Sequence, residues 1–285
     1  SSMLVTNDVA LITFVPLTLV ISRKIDINPA YIIVLQTLAA NIGSSLTPMG
    51  NPQNLFLFTF YRLSAGQFFR VMLPFVLLGA LWLAVLNLVV PRKGFELQLN
   101  NVEIKDKRKA LLFAALFAVI ILSIFNVISY ILAFILTITA ALVAERKLLV
   151  KVDFFLLATF VCFFIFIGNL SHIQLVNRYL HYLLSSGNKS FFTSITLSQF
   201  ISNVPASILT AGFTSCWKEI LLGVNIGGMG TLIASLASLI SYKLYVNDLG
   251  AENSSKYILK FTLYNVVSLL LFTAMNFVLL NLSLI

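Results

Sequence analysis

Asn41-Ile42-Gly43-Ser44-Ser45-Leu46-Thr47-Pro48-Met49-Gly50-Asn51-Pro52-Gln53-Asn54 interrupts an apolar run that extends from Pro29 to Phe60. The run is long enough to cross a bilayer, which takes about 20 apolar residues as a helix. Its middle cannot be continuous helix, because Pro48 and Pro52 remove backbone donors and clash with the preceding turn. In hydrocarbon an unpaired backbone amide or carbonyl costs several kcal/mol. Non-helical backbone at that depth therefore survives only where it is buried in protein or lines a cavity.

The same kind of break recurs in three other apolar stretches. Thr6-Asn7-Asp8 interrupts Met3 to Ile21, Ser202-Asn203-Val204-Pro205 interrupts Phe191 to Phe213, and Asn225-Ile226-Gly227-Gly228-Met229-Gly230-Thr231 interrupts Trp217 to Tyr242. The four breaks form two matching pairs. Thr6-Asn7-Asp8-Val9-Ala10 aligns with Ser202-Asn203-Val204-Pro205-Ala206, with hydroxyl, Asn and Ala in register. Asn41 to Leu55 aligns with Asn225 to Leu239 through shared Asn, Ile, Gly, Thr and Leu, and Asn51 and Asn54 face Ser235 and Ser238. Two such similarities in the same order indicate an internal repeat. Uninterrupted spans are expected at Phe68 to Val90, Ala110 to Asn126, Ile128 to Ala144, Phe154 to Asn169 and Tyr257 to Leu284.

Composition agrees with a membrane-embedded chain. Of 285 residues 59% are hydrophobic and 10% charged, where an ordinary soluble domain carries about a quarter charged residues. A soluble globule cannot hide that much apolar surface. The net charge of +9 does not indicate nucleic acid, because Lys and Arg lie between the apolar runs. With the 91–109 loop placed inside, 14 of the 19 basic residues fall on the cytoplasmic side, including Arg23, Lys24, Arg92, Arg146, Lys243 and Lys256. The positive-inside rule is then met. The bias holds only if Phe191 to Phe213 enters and leaves on one side, as a re-entrant hairpin. The second repeat then has an odd number of full spans, which makes the two repeats inverted.

The expected fold is an all-α polytopic membrane protein. It consists of two inverted repeats with re-entrant hairpins and unwound transmembrane helices. Residues 1–94 form the C-terminal part of the first repeat and 95–109 a basic cytoplasmic linker. Residues 110–285 form the second repeat, with three spans, a hairpin at 190–213, a broken helix at 216–243 and a last span at 257–284. The repeat offset expects roughly 90 further residues ahead of Ser1, in a chain of about 375.

Paired broken helices place a transporter's binding site at the midplane. Candidate binding residues at the hairpin tips are Thr6, Asn7, Asp8, Ser202 and Asn203. Facing them are Asn41, Gly43, Thr47, Asn51 and Asn54, and Asn225, Gly227, Gly228, Thr231, Ser235 and Ser238. Half-helix N-termini suit an anion, and freed carbonyls suit Na⁺ or H⁺. Pro48, Pro52 and Pro205 hold the breaks open. The bland reading of any one Ser, Thr or Asn is a bond between helices.

Asp8 is the one acid well inside an apolar segment, and its counterpart in the second repeat is Val204. Intramembrane carboxylates are functional by default, so Asp8 is a candidate proton carrier or cation ligand. The alternative is a helix N-cap at the hairpin tip. His172, His181, Cys162 and Cys216 show no metal-ligand or disulfide pattern. No Ser/His/Asp or paired-carboxylate set supports an intramembrane enzyme.

Thr6-Asn7-Asp8-Val9-Ala10, Asn41-Ile42-Gly43 with Gly50-Asn51-Pro52-Gln53-Asn54, Ser202-Asn203-Val204-Pro205-Ala206 and Asn225-Ile226-Gly227-Gly228 resemble the ion transporter superfamily. Its members include ArsB-type arsenite permeases, NhaD-type sodium–proton antiporters and citrate or dicarboxylate permeases. The similarity is greatest to the small ArsB/NhaD-like anion permeases. The resemblance implies secondary transport of a small anion, with Na⁺ or H⁺ as coupling ion and no other cofactor. It also implies an elevator-type transport domain on a homodimeric scaffold in a bacterial plasma membrane. Neither tip carries the Ser-Asn-Thr of the dicarboxylate branch, and no Cys lies at the expected site.

Overall fold

A computed structural model describes residues 1–90, 106–152 and 154–282. Among these, fourteen α-helices and three short 3-10 turns account for the regular structure, and no strand is present. In chain order the helices are α1 (Asn7–Lys24), α2 (Ala30–Ser44), α3 (Pro52–Phe60), α4 (Ala65–Asn87), α5 (Lys107–Ile124), α6 (Tyr130–Ala144) and α7 (Lys147–Val150). They continue as α8 (Phe154–Ser171), α9 (Gln174–Leu183), α10 (Gly187–Ile201), α11 (Asn203–Ala211), α12 (Trp217–Gly227), α13 (Leu236–Leu249) and α14 (Ser254–Asn281). Most of the basic linker expected at 95–109 lies outside the described residues, as does the end of the last span beyond Leu282.

The chain divides into two compact units. One comprises Ser1–Arg92 and Ile165–Ile285, the other Lys93–Phe164. The smaller unit holds the α5–α6 hairpin, closed by Lys109 Nζ donating to Glu145 Oε2 at 2.9 Å. Asp106 starts α5 by accepting the backbone amides of Arg108 and Lys109 at 3.1 Å. The outer faces of this hairpin are apolar, with Leu111, Phe134 and Val143 exposed. Such a surface is suited to lipid.

All four breaks lie in the larger unit. Within it the helices pack in a repeating pattern. α1 packs on α2 and on α13, and α11 packs on α12 and on α3. α4 and α14 each contact both α2 and α12. Exchanging α1 with α11, α2 with α12, α3 with α13 and α4 with α14 leaves these neighbours unchanged. Each half thus supplies the arm that covers the other half's broken helix. α1 and α13 are further tied where Arg23 pairs with Asp248. α3 and the end of α11 are tied where Tyr61 Oη donates to Ala211 O at 3.2 Å and Thr214 O at 2.7 Å.

α4 and α14 are long and apolar enough to cross a membrane. α4 begins with a capping box: Ser64 Oγ accepts Gln67 N at 3.3 Å, and Gln67 Oε1 accepts Ser64 N at 2.8 Å. α6, expected as a full span, is 15 residues long, about 22 Å of helix against a hydrocarbon core of about 30 Å. The break after α5 is also wider than the single residue expected: Asn126, at φ 59°, turns the chain, and Ser129 precedes the next helix. The hairpin and broken helix of the second half extend beyond their expected limits, with α10 starting at Gly187 and α13 running to Leu249.

Candidate functional site

The two breaks follow the same backbone path in the register that aligns Asn41 with Asn225. α2 ends at Ser44, Pro48–Gly50 forms a 3-10 turn, and Asn51 is extended (φ −145°, ψ 144°) before Pro52 opens α3. α12 ends at Gly227, Leu232–Ala234 forms the matching 3-10 turn, and Ser235 is extended (φ −144°, ψ 146°) before α13. Pro48 and Pro52 occupy first-turn positions, where no intrahelical donor is lost. Pro205 lies in the first turn of α11 for the same reason.

The segment ahead of α1 and the turn ahead of α11, the two expected tips, also correspond. Thr6 caps α1, its Oγ1 accepting Val9 N at 3.4 Å. Asp8 is therefore in the first helical turn and is not the cap, which corrects the alternative reading of that residue. At the other tip Ser202 joins α10 to α11 with φ 72°, a conformation uncommon for a residue with a Cβ. Each tip hooks onto the facing break through a threonine: Thr47 Oγ1 donates to Met3 O at 2.5 Å, and Thr231 Oγ1 donates to Gln199 O at 3.0 Å. Each also leans on a glycine. A Cβ on Gly43 would sit 2.7 Å from Ser2 Oγ, and one on Gly227 2.7 Å from Ser198 Oγ. Ser202 Oγ reaches Ala234 O at 3.4 Å.

Between the breaks lies a buried polar network that crosses from one half to the other. Asn41 Nδ2 donates to Ser235 Oγ at 3.3 Å and Gly228 O at 3.4 Å, and Asn41 Oδ1 accepts Asn7 Nδ2 at 3.2 Å. Asn225 also uses every side-chain group, but with partners that are not the counterparts of those of Asn41. Its Nδ2 donates to Asn54 Oδ1 at 2.7 Å and Leu221 O at 2.8 Å, and its Oδ1 accepts Ser45 Oγ at 2.8 Å. Asn51 Nδ2 donates to Ser44 Oγ at 2.5 Å, and Ser235 Oγ shares a 2.8 Å bond with Ser238 Oγ. Asn54 Nδ2 reaches Ser44 O and Thr47 O. Asn203 Nδ2 lies over Gly228, where a Cβ would approach it to 2.8 Å.

Most of the polar and glycine positions singled out in the sequence are joined by these contacts, and they differ in what their side chains have left to bond. Asn41 and Asn225 have every side-chain group engaged by protein, so they hold the two halves together. Thr6 makes only a local cap. Asp8 Oδ1 and Asn51 Oδ1 are buried with no hydrogen-bond partner, and an orphaned buried acceptor is costly unless something supplies a donor or a positive charge. The sequence reading passed over Ser44, Ser45, Gln53 and Gln199. Gln53 Nε2 is likewise buried and unpartnered. The first three sit inside or beside the opening stretch, and Gln199 ends the Ser190, Ser194, Ser198 polar stripe on α10.

Among the described residues no group of three His, Cys, Asp or Glu is placed to hold a metal ion. Cys162 and Cys216 are free thiols. His181 packs its ring edge-on against Phe213, with centroids 5.4 Å apart.

A family model described as citrate transporter matches residues 1–214. The chain is 38% identical over 247 residues to an uncharacterized transporter of Methanocaldococcus jannaschii, covering 85% of this chain and 67% of that one. It is 31% identical over 290 aligned positions to the inner membrane protein YbiR of Escherichia coli, covering 98% of this chain and 74% of that one. A shorter match, 30% over 95 residues, is to a protein of Dictyostelium discoideum named "Putative transporter arsB"; it covers 33% of this chain and 17% of that one. No solved structure matches the chain. The matched span takes in all of the first half and continues through the second hairpin. The chain is an integral membrane protein of the ion transporter superfamily and belongs to its citrate transporter family.

Proposed function

We propose that this transporter moves a small inorganic or organic anion across the membrane, coupled to H⁺ or Na⁺, by elevator-type alternating access. The binding residues are those of the two tips and two breaks, from Thr6 to Asn54 and from Ser202 to Ser238. The two halves are inverted repeats whose hairpins re-enter the membrane, and two copies of the chain form the scaffold in the plasma membrane. The observation that carries this reading is the cross-half network of Asn41–Ser235 and Asn225–Asn54 bonds. It joins the two unwound segments into one polar body between apolar helices. Unwound backbone in such a body presents amides to an anion and carbonyls to a cation.

A sodium–proton antiporter of the same superfamily is the second reading. It is favoured by Asp8, whose Oδ1 is buried without a donor. In that case the carboxylate itself carries the exchanged charge.

Flux into proteoliposomes containing the full-length transporter separates these readings. Citrate, arsenite and sulfate uptake, driven by an imposed Na⁺ or H⁺ gradient, is expected for at least one anion. Absence of gradient-driven flux for all three, with Na⁺/H⁺ exchange present, selects the antiporter. Absence of both removes transport coupled to these ions. Asp8→Asn is expected to uncouple flux from the ion gradient, and unchanged coupling in that variant rules out the carboxylate as carrier.

A further inference from the structure

In the second half, three carbonyl oxygens converge on one side-chain amide. Gln199 Nε2 lies 2.7 Å from Gly227 O, 3.0 Å from Met229 O and 3.4 Å from Ile195 O. An amide nitrogen carries two hydrogens, which Gly227 O and Met229 O take, while Ile195 O is the more distant i−4 carbonyl of the same helix. Gly227 and Met229 supply carbonyls at the place where α12 unwinds, and carbonyls of this kind coordinate monovalent cations in broken membrane helices. The other end of the same amide is also held: Thr231 N donates to Gln199 Oε1 at 3.0 Å. Gly230 passes this oxygen at φ 106°, and a Cβ there would run into it. The backbone of the break is shaped around the amide.

The first half is built differently at the matching positions. Met3 stands where Gln199 does, since Thr47 hooks its carbonyl as Thr231 hooks that of Gln199. A thioether brings no amide donor to this place. The Gly43 carbonyl is satisfied instead by Leu46 N at 3.1 Å, in a tighter turn. At the two tips and two breaks, the buried side-chain oxygens without a donor belong to this half, at Asp8 and Asn51, while in the second half Ser194 Oγ, further back on α10, is without a partner. The counterparts of Asp8 and Asn51 are Val204, which has no polar group, and Ser235, which is bonded to Asn41 and Ser238.

We propose that the side-chain amide of Gln199 permanently fills the cation position of the second break, leaving the first half, with Asp8 and Asn51, as the place where a coupling cation binds. The two halves share a backbone plan but not a ligand. This inference rests on the cation-coupled reading given above, and it adds that coupling is asymmetric.

The test is the thermal unfolding midpoint of the purified full-length transporter in LiCl, NaCl or KCl against choline chloride at equal ionic strength. Gln199→Ala exposes the carbonyl cradle. It is expected to gain at least about 3 °C of additional stabilisation by one of the three cations relative to wild type. Asn51→Ala is expected to lose the cation response that wild type shows. Where Gln199→Ala yields no folded protein, Gln199→Glu reads the same position at a pH that ionises it, because a carboxylate facing the Gly227 and Met229 carbonyls needs a cation between them where a carboxylic acid does not. That variant is expected to be recovered folded with an alkali cation and not in choline. A response of Gln199→Ala equal to that of wild type in all three salts overturns the proposal, as does a Gln199→Glu variant whose stability in choline equals that in the three salts across pH 8 to about 10. A wild type with no cation response overturns the assignment of cation binding to the first half. The Gln199 readout needs no flux, so its failure is distinct from a failure to observe coupled transport.

Discussion

At the residue scale, asparagines that look alike in sequence divide by what their side chains have left to offer. Asn225 has both amide hydrogens and its oxygen engaged by protein. Truncating it strands Asn54 Oδ1 in a buried place, while Ser45 Oγ keeps its bond to Asn41 O at 2.8 Å. A group left unsatisfied in this way costs about 1–3 kcal/mol. Asn225→Ala is therefore expected to lower the unfolding midpoint of the purified protein by about 6 °C. Part of that loss should be shared with Asn54→Ala in a double-mutant cycle, with a coupling of about 0.6 kcal/mol, typical of hydrogen bonds between membrane helices. Asn51→Ala should behave in the opposite sense. Its Oδ1 has no protein partner to strand, and Ser44 Oγ, which its Nδ2 engages, keeps a bond to Asn41 O, so its effect should be greater on the half-saturating ion or substrate concentration than on the midpoint. Equal effects of the two variants on stability would remove this division.

At the element scale, the breaks were legible in the sequence because their causes are local. Proline and glycine placement fixes where a helix stops, and the 3-10 turns at Pro48–Gly50 and Leu232–Ala234 fall where the aligned sequences put them. Gln199 was not legible. One glutamine in a helix carries no motif, and the Gly227 and Met229 carbonyls reach it only once α10 closes on α12. The shortness of α6 was missed for a related reason. Ile128 to Ala144 is uniformly apolar, and hydropathy alone does not reveal that the chain is still turning at Asn126. Close packing of α10 on α12 was also hidden, and it depends on small residues. A Cβ on Gly227 would meet Ser198 Cβ and Oγ at 2.7 Å and Ile195 Cα at 3.1 Å. Gly227→Ala should accordingly destabilise the protein by about 1–3 kcal/mol. Gly212→Ala meets nothing within 4 Å at an ordinary helical φ of −71°, so it should be neutral or slightly stabilising. Thermal midpoints measured side by side check the contrast, and equal values would show that α10 yields without cost.

At the scale of the whole molecule, the exchange of arms between halves constrains how the protein moves. α2 is covered by α1 of its own half and by α13 of the other. The last contact is polar at its centre: Thr37 Oγ1 donates to Ser241 Oγ at 2.8 Å, and Tyr257 Oη donates to the same serine at 3.2 Å. A gate that parted the two broken helices would have to break these buried bonds together with those of Asn41 and Asn225. An elevator carries both breaks as one body and leaves the bonds intact, so the two mechanisms differ in what a covalent tie across this contact does. The 2.8 Å between these two oxygens brings the two side chains into direct contact, as a disulfide between cysteines at the same positions requires. A Thr37→Cys, Ser241→Cys pair, in a background with Cys162 and Cys216 replaced by serine, should therefore cross-link under oxidation. Elevator movement predicts that the oxidised protein in proteoliposomes retains most of its gradient-driven flux, and that reduction changes the rate by less than about twofold, because the tied helices travel together. Flux abolished by oxidation and restored by reduction would mean instead that α2 and α13 separate during each cycle, and the cross-half network would then be a gate and not a scaffold.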